Sequence, residues 1–377
     1  MYFVHPQIEK REIKKAFFCF FKRTNLEKLK NKLSFYFPEK NLFFVDMART
    51  AFKIAIENLN LKNSQILIPA FICDIFFPIL REYNIEPIFL DIDLKTFHLK
   101  TEEIEKKISK KTKAILICHT FGLPFDFEKI KNFSKDLIIV EDCAHAFGAY
   151  WKDSFLGNFG KVSFFSLYKQ FPVARGGLLV CPKDWQISLK ETKFNLRDFI
   201  SFLNHILPFA FLFKKFGQKI APKIMRKEKG KEFLALNKIS LNLFSCFLEN
   251  FEEKIKKRRQ LALFFQEKLK ELGFETQESQ NNVFCYLSAL VPKSFEEARD
   301  KIVKELQKRK IFCTRIWKDP IIFNKEVKKT WKINLKDFPN TVEAAKRIIN
   351  FPLQSHYQKK DIEKMIFALK EILNFLK

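Results

Sequence analysis

Between residues 41 and 185, short apolar runs alternate with amphipathic segments. The apolar runs are Gln65–Phe71, Pro87–Ile92, Ala114–Cys118, Leu137–Val140, Val162–Phe165 and Leu178–Cys181. Segments with helical periodicity, such as Thr101–Ile108 and Phe127–Phe133, lie between them. Strands that are apolar throughout and alternate with helices are typical of a parallel sheet covered on both faces. The pattern therefore predicts an α/β fold with a large, mixed but mostly parallel sheet.

A different pattern follows in the second half of the chain. Residues 190–236 have the character of an insertion, and Leu241–Leu272 predicts one long helix that ends at Gly273. Beyond it we expect a strand within Val283–Val291, a helix over Phe295–Arg309 and a closing helix over Lys359–Phe375. The chain thus divides into a large domain over residues 1–245 and a smaller α+β domain over residues 246–377.

The cysteines and the amino terminus favour a cytoplasmic protein. The eight cysteines are scattered singly without a C-x-x-C pair, so neither a metal site nor a disulfide framework is expected. That usage fits a reducing cytosol. The first residues, MYFVHPQIEKREIKK, contain no apolar segment before their charges and no small-residue cleavage site, which argues against secretion.

The formal charge of +26 raises the question of a nucleic-acid or membrane partner. The chain also contains 47 phenylalanines, and AT-rich coding favours both phenylalanine and lysine. Because the basic residues are spread along the chain, we expect no nucleic-acid partner. A positive surface would still attract a doubly anionic substrate.

The longest apolar stretch lies within Phe199–Phe216. Polar residues and a proline interrupt it, and it falls short of the ~20 apolar residues that a membrane span needs. Two interpretations remain: the segment packs against a partner subunit, or it covers the active-site mouth or touches a membrane surface, with Lys214 and Lys215 at one end.

The sequence lacks the common nucleotide-binding motifs, because its nine glycines form neither G-x-G-x-x-G nor a P-loop. Arg49 and Thr50 stand at the start of a helical pattern, where backbone N–H groups bind anions, although taken alone they are explained more simply as an ordinary helix cap. Asp142 follows an apolar strand, so its carboxylate either pairs with a protonated pyridine nitrogen or caps a helix. His145 is close enough in sequence to contact the same ring or its 3-oxygen.

A lysine between two apolar strands completes the set. Lys169 can be desolvated there, which frees its amine as a nucleophile. The glycines at 176 and 177 let the backbone pass close to a bulky cofactor. Ser166 is placed to bind a phosphate, and Ser163 competes for that role.

The order and spacing of these segments resemble the DegT/StrS-type sugar aminotransferases, a branch of the fold-type-I pyridoxal-phosphate enzymes. The resemblance covers most of residues 41–190 and resumes through the long helix and the carboxyl end. The segments that carry it are Ile68–Phe71, His119–Gly122, Glu141–Ala144, Lys169 before Gly176–Gly177, and Asn350–Leu353. It implies the fold-type-I architecture, pyridoxal 5'-phosphate as cofactor and a homodimer with shared active sites.

The resemblance also implies roles for individual residues. Lys169 would bind the cofactor covalently and Asp142 would hold its pyridine nitrogen. The other cofactor-binding residues would be Arg49, Thr50, Phe71, His145 and Ser166, and Asn237 or Lys238 would reach the neighbouring subunit's phosphate.

Several positions depart from the family pattern. His145 stands where glutamine is usual, and Arg175 stands where an acidic residue often precedes the glycines. Cys73 occupies the region of the ring-stacking aromatic, which leaves Phe71 or Phe76 as substitutes. The insertion is also larger than usual.

The expected reaction is transfer of an amino group from glutamate to a keto-sugar of a nucleotide sugar, in polysaccharide biosynthesis. The alternatives are a related enzyme acting on a non-sugar ketone, a dehydratase, or a degenerate basic binding protein. Known dehydratase relatives replace the lysine, so Lys169 favours transamination. The pattern leaves open which sugar and which carbon receive the amino group.

Overall fold

The structure is a computed structural model that describes residues 1–133, 135, 137–206, 209 and 232–376. Its strands are β1 (Tyr2–Phe3), β2 (Lys40–Val45), β3 (Gln65–Pro69), β4 (Glu86–Leu90), β5 (Thr112–Cys118), β6 (Ile138–Asp142), β7 (Tyr150–Trp151), β8 (Ser154–Phe155), β9 (Val162–Ser166), β10 (Gly177–Pro182), β11 (Glu275–Thr276), β12 (Leu287–Leu290), β13 (Ile311–Phe312) and β14 (Ile348–Phe351). Its α-helices are α1 (Ile13–Cys19), α2 (Leu26–Ser34), α3 (Ala48–Asn58), α4 (Phe76–Glu82), α5 (Ile104–Lys107), α6 (Leu196–Leu203), α7 (Lys238–Leu248), α8 (Phe251–Glu271), α9 (Arg299–Lys308), α10 (Lys325–Thr330), α11 (Pro339–Arg347) and α12 (Lys359–Leu376).

A seven-stranded sheet, in the order β2-β10-β9-β6-β5-β3-β4, dominates the described residues. The strands from β9 to β4 pair in parallel, and β10 is antiparallel to both of its neighbours. Both faces are apolar and buried: Leu178 and Val180 of β10 face one core, whereas Leu179 and Cys181 face the other. This confirms the predicted large, mostly parallel sheet, because strands buried on both sides leave no polar alternation along the chain.

The carboxyl-terminal lobe is built on the three-stranded sheet β11-β12-β14, and its core packs against α8, α9 and α12. The division at residue 245 remains a prediction, and the amino terminus contacts this lobe. Strand β1 pairs in parallel with β13 of the carboxyl-terminal lobe, and the Phe3 ring stacks on Phe312 at 4.6 Å. The first residues therefore pack with the end of the chain rather than with the large sheet.

The single long helix predicted over Leu241–Leu272 is wrong, because the chain turns at Glu249 and Asn250 between α7 and α8. The backbone of Asn250 leaves the helical region (φ −119°, ψ 22°), which lets both helices bury their apolar faces. The predicted end at Gly273 is confirmed, since this glycine adopts the left-handed conformation at φ 80°.

The ends of the predicted insertion are tied to the edge of the large sheet. Isolated bridges join Lys190 to Leu234 and Val45 to Ala235. Helix α6 forms the first part of the Phe199–Phe216 segment, and most of the rest of that segment lies outside the described residues.

The expectation that the cysteines stay unpaired is wrong for one pair, because Cys19 and Cys246 form a disulfide across 227 residues of sequence. The bond joins α1 to α7, and both cysteines are buried. A pair so distant leaves no spacing pattern, since packing alone brings the two thiols together. The other six cysteines are free.

We predict that alkylation of the denatured protein, purified without reductant, blocks six thiols before reduction and eight after it. Cys19→Ser should lower the free energy of unfolding by about 2–5 kcal/mol, because the bond closes a long loop in the unfolded chain. Cys181→Ser, which changes a buried free thiol, serves as the control, since its effect should not depend on reductant. Eight reactive thiols before reduction would contradict the bond.

Candidate active site

The predicted site residues meet at one edge of the sheet. Parallel strands place their carboxyl ends together, and the register aligns Asp142 at the end of β6 with Cys118 of β5 and Phe164 of β9. Lys169 follows β9 in a single 3-10 turn over Leu167–Lys169. The acid and the lysine therefore reach this edge from neighbouring strands.

Lys169 and His145 form the central hydrogen bond, with 2.8 Å between Nζ and Nε2. His145 Nδ1 accepts the backbone N–H of Phe121 at 3.2 Å. Burial, and then the charge of Lys169, hold the pKa of His145 well below its usual value, so the ring is neutral. Its one proton must sit on Nε2, because Nδ1 is the acceptor. Nε2 therefore faces the amine of Lys169, the group that the sequence predicts as the nucleophile.

Asp142 is buried beside this pair. Burial raises the pKa of its carboxyl group, and the neighbouring Lys169 acts in the opposite direction. Oδ1 accepts the N–H of Ala144 at 2.9 Å, and the thiol of Cys118 lies 3.9 Å from Oδ2. One oxygen thus caps a turn rather than the helix that the alternative interpretation expected, while the other lies near the weak thiol donor of Cys118.

Glu141, the residue before Asp142, is fully buried and serves the framework. Its carboxylate accepts the N–H of Gly157 at 2.9 Å and of Gly160 at 2.5 Å. His119 Nε2 lies 3.1 Å from the same carboxylate, while His119 Nδ1 accepts the N–H of Phe125. Cys143 also lies near, so these side chains could be taken for a metal site. Two backbone donors point at the carboxylate, which favours a structural hydrogen-bond network instead.

The amino terminus of α3 lies against β10 at the same edge. A Cβ atom on Gly177 would come within 2.6–2.7 Å of backbone atoms of Met47 and Ala48, so only glycine allows this approach. Ser166 pairs with Gly177 in the register of β9 and β10, so this serine lies beside the helix terminus. A helix terminus with a neighbouring hydroxyl is suited to a phosphate.

Two of the candidate phosphate residues have other partners. Thr50 Oγ1 donates to Asp46 at 2.6 Å. Ser163 Oγ donates to the carbonyl of Gly157 at 3.0 Å on the framework side of β9. Because Ser163 is occupied, Ser166 is the better-placed serine. Arg49 is half-buried at the start of α3.

The aromatic candidates lie at different depths. Phe71 is fully buried and packs against Phe121 and Trp317, so its ring-stacking role remains a prediction. Phe76 packs against Phe52 and Phe164 inside the core. Cys73, at the departing position, is half-buried near Lys169 and Asp142.

Sequence reasoning missed two residues from the carboxyl-terminal lobe. The rings of Tyr286 and Trp317 lie 5.1 and 5.3 Å from the ring of His145. Asn350 positions the second of them, because its Oδ1 accepts the N–H of Ile316 at 2.6 Å. Asn350 belongs to the Asn350–Leu353 segment that the sequence pattern indicates, but its contact with residues 316–317 depends on the fold.

Comparison with known proteins gives this arrangement a context. The model of the DegT/DnrJ/EryC1/StrS aminotransferase family matches residues 20–370. The chain belongs to this family. A match over so much of the chain includes both lobes and every candidate residue discussed above.

Individual relatives agree with the family. A 98-residue segment is 42% identical to GDP-perosamine synthase of Escherichia coli O157:H7 and covers 25% of this chain and 27% of that relative. The dTDP-4-amino-4,6-dideoxy-D-glucose transaminase of Shigella dysenteriae is 23% identical over 92% of this chain and 89% of its own. Spr1654 of Streptococcus pneumoniae, solved in its PMP form, superposes with a TM-score of 0.78 at 16% identity, covering 100% of both chains. This superposition confirms the fold-type-I architecture.

The departure of this family member at Arg175 is compensated by the insertion. Arg175 Nε lies 2.5 Å from Asp198 Oδ1 of α6, and both side chains are largely buried. Asn237 Nδ2 also contacts Asp198, at 3.4 Å, while its Oδ1 caps α7 through Ser240. An acid supplied by the insertion thus neutralises the basic residue that precedes the glycines.

We predict that His145→Gln changes the pH dependence of stability in the cofactor-free protein. The folded protein keeps His145 neutral, whereas the unfolded chain protonates it below about pH 6.5. The wild type should therefore lose stability relative to the variant as pH falls, by up to about 1.4 kcal/mol per pH unit. Urea unfolding between about pH 8 and about pH 5 measures this difference. A difference that stays constant with pH would contradict a neutral, buried imidazole.

Proposed function

We propose that this chain is a pyridoxal-phosphate aminotransferase that moves an amino group from glutamate to the keto-sugar of a nucleotide sugar in polysaccharide biosynthesis. The observation that carries the proposal is the convergence of Lys169, His145 and Asp142 at the carboxyl edge of the sheet. These groups offer a nucleophilic amine, a fixed hydrogen-bond donor and a carboxylate within one buried site.

The site has residues suited to both ends of the cofactor, its pyridine ring and its phosphate. Asp142 would hold a proton on the pyridine nitrogen, and the α3 terminus with Ser166 would bind the phosphate. Arg49 and Thr50 belong to the same helix terminus, although the contact between Thr50 and Asp46 would have to rearrange if its hydroxyl is to donate to phosphate. When bound, pyridoxal phosphate supplies an electron sink for the carbon that loses a proton.

Lys169 and His145 would act on protons. The amine of Lys169 would remove a proton from the donor's α-carbon and return it at the neighbouring position during transfer. His145 Nε2–H would donate to the ring oxygen of the cofactor, because Phe121 fixes the opposite nitrogen as the acceptor. This neutral donor would do the work of the amide that is usual at this position.

The substrate class follows from the relatives. Two of them carry names that describe amino transfer on nucleotide sugars. Such substrates have a diphosphate, which the net charge of +26 would attract. Retention of Lys169 favours transamination over dehydration.

We also propose a homodimer with shared active sites, located in the cytoplasm. Lys238 is 85% exposed in its side chain, whereas Asn237 is buried in its own subunit, so Lys238 is the better candidate to reach a partner's phosphate. The six free thiols support a reducing compartment. The Cys19–Cys246 bond opposes it, because disulfides are uncommon in most cytosols.

Our prediction for Lys169→Ala is a folded protein without transfer activity, because the nucleophile and proton carrier are both removed. Wild-type protein with glutamate and a panel of nucleotide-linked keto-sugars should form an amino sugar, detected by mass spectrometry. Borohydride reduction of the wild type should fix a phosphopyridoxyl group on the peptide containing Lys169. Lys183→Ala, an exposed lysine on the same lobe, is the matched control.

Label on another lysine would reject the assignment of Lys169. A correctly labelled Lys169 with amino transfer only to simple keto acids would instead reject the nucleotide-sugar substrate.

We predict that Asp142→Asn retains the cofactor but loses turnover by at least about a hundredfold, since an amide does not hold the pyridine nitrogen protonated. The KM for glutamate should change much less than kcat. Equilibrium binding of the cofactor, followed by its visible absorbance, separates this effect from loss of the site. Near-normal kcat would leave Asp142 with its turn-capping role alone.

A further inference from the structure

Exposed aromatic and aliphatic side chains gather on the face formed by α1, the turn that follows it and α6. Their exposed fractions are 43% for Phe17, 74% for Phe18, 84% for Phe21, 74% for Leu196 and 37% for Phe199. We call these five residues the amino-terminal apolar face. Large apolar side chains that cluster in this way mark interaction surfaces more often than isolated ones do.

The face is held in place by packing on its inner side. Ala16 and Cys19 are buried, and the Cys19–Cys246 bond fastens α1 to α7. The ring of Phe20 contacts Phe202 at 4.9 Å and Phe199 at 6.5 Å, which joins the two helices. The outward rings therefore do not result from a detached chain end.

Exposed or half-buried basic residues lie beside the face in sequence, on α1, in the turn after it, and just before or at the start of α6. They are Lys14, Lys22, Arg23, Lys193 and Arg197. Apart from Lys22, which lies 4.0 Å from Glu249, none of them forms an ion pair with a residue that the structure describes. The neighbouring acids already have basic partners: Glu249 pairs with Lys15, and Glu12 pairs with Lys254. The rim is therefore positively charged.

We propose that the amino-terminal apolar face docks the protein onto an anionic lipid surface. Outward phenylalanines bordered by lysine and arginine are the combination that inserts rings at the acyl boundary while the cations contact anionic headgroups. No helix among the described residues is both long and apolar enough to cross a bilayer, so the contact is peripheral. This proposal is independent of the amino transfer proposed above.

The charges also distinguish lipid from a second copy of the chain. In a two-fold interface centred on this face, two positive rims would meet, and like charges would oppose association. An anionic membrane presents the opposite charge across the whole rim. The overall charge of +26 acts in the same direction.

The test is co-sedimentation of the full chain with vesicles. Wild-type protein should bind vesicles of phosphatidylglycerol and phosphatidylcholine, bind poorly to phosphatidylcholine alone, and dissociate as salt rises. The double variant Phe18→Ser/Phe21→Ser should bind at least about tenfold more weakly, because two rings no longer insert. Its melting temperature should match the wild type, since both residues are largely exposed.

The matched control is Phe367→Ser/Phe375→Ser, which removes two exposed phenylalanines, 63% and 79% exposed, from α12. It should bind vesicles like the wild type. A second variant, Lys14→Glu/Arg23→Glu, should lose binding to the anionic vesicles without altering the apolar residues. Three outcomes overturn the proposal. The first is unchanged vesicle binding by Phe18→Ser/Phe21→Ser, and the second is an equal loss of binding in the α12 control. The third is no vesicle binding by the wild type while Phe18→Ser/Phe21→Ser converts dimers to monomers. The last result would identify the face as a subunit interface.

Discussion

The buried carboxylate of Glu141 is the constraint on which the rest of the site depends. A fully buried charge is costly unless hydrogen bonds replace its water. Here Gly157, Gly160 and His119 supply those bonds. They can do so only if the ends of β5 and β6 and the loop before β9 converge. Since successive strand residues point to opposite faces, the same geometry turns Asp142 toward the site.

Glycine is required at both backbone donors of this network. Gly157 has φ 101°, which disfavours other residues, and a Cβ on Gly160 would lie 2.7 Å from the carbonyl of Ile139. In a chain with nine glycines, two are therefore used to bring backbone N–H groups to one carboxylate. The two adjacent acids therefore have different roles: Glu141 fixes the strand ends, and Asp142 faces the candidate site.

Two positions that depart from the family pattern, Arg175 and His145, are each accommodated by a second residue. Arg175 introduces a positive charge near the glycines, and Asp198 from the insertion neutralises it within the same subunit. His145 directs Nε2 at Lys169, because the Phe121 N–H determines which nitrogen carries the proton. In each case a second residue, distant in sequence, makes the substitution compatible with a buried site.

Local sequence patterns were sufficient for six of the seven strands of the large sheet, all but β2, and for the positions of Asp142 and Lys169. Each of these residues stands at the end of an apolar run, and the end of a run is visible without knowing the fold. The Cys19–Cys246 bond, the break at Asn250 and the contact between Thr50 and Asp46 were not visible. They depend on partners brought together by packing, or on one backbone conformation that apolar periodicity does not report.

The residues that the carboxyl-terminal lobe contributes to the site likewise depend on packing that the sequence pattern does not report. Trp317 adopts φ 62°, a conformation that costs a non-glycine residue about 1 kcal/mol or more. Two sets of contacts offset that cost: Asn350 binds the preceding Ile316 N–H, and the indole packs against Phe121 and His145. The indole therefore holds its position only when the two lobes are joined. Because His145 is also the partner of Lys169, the packing of the lobes and the orientation of the Lys169 amine depend on one shared aromatic cluster.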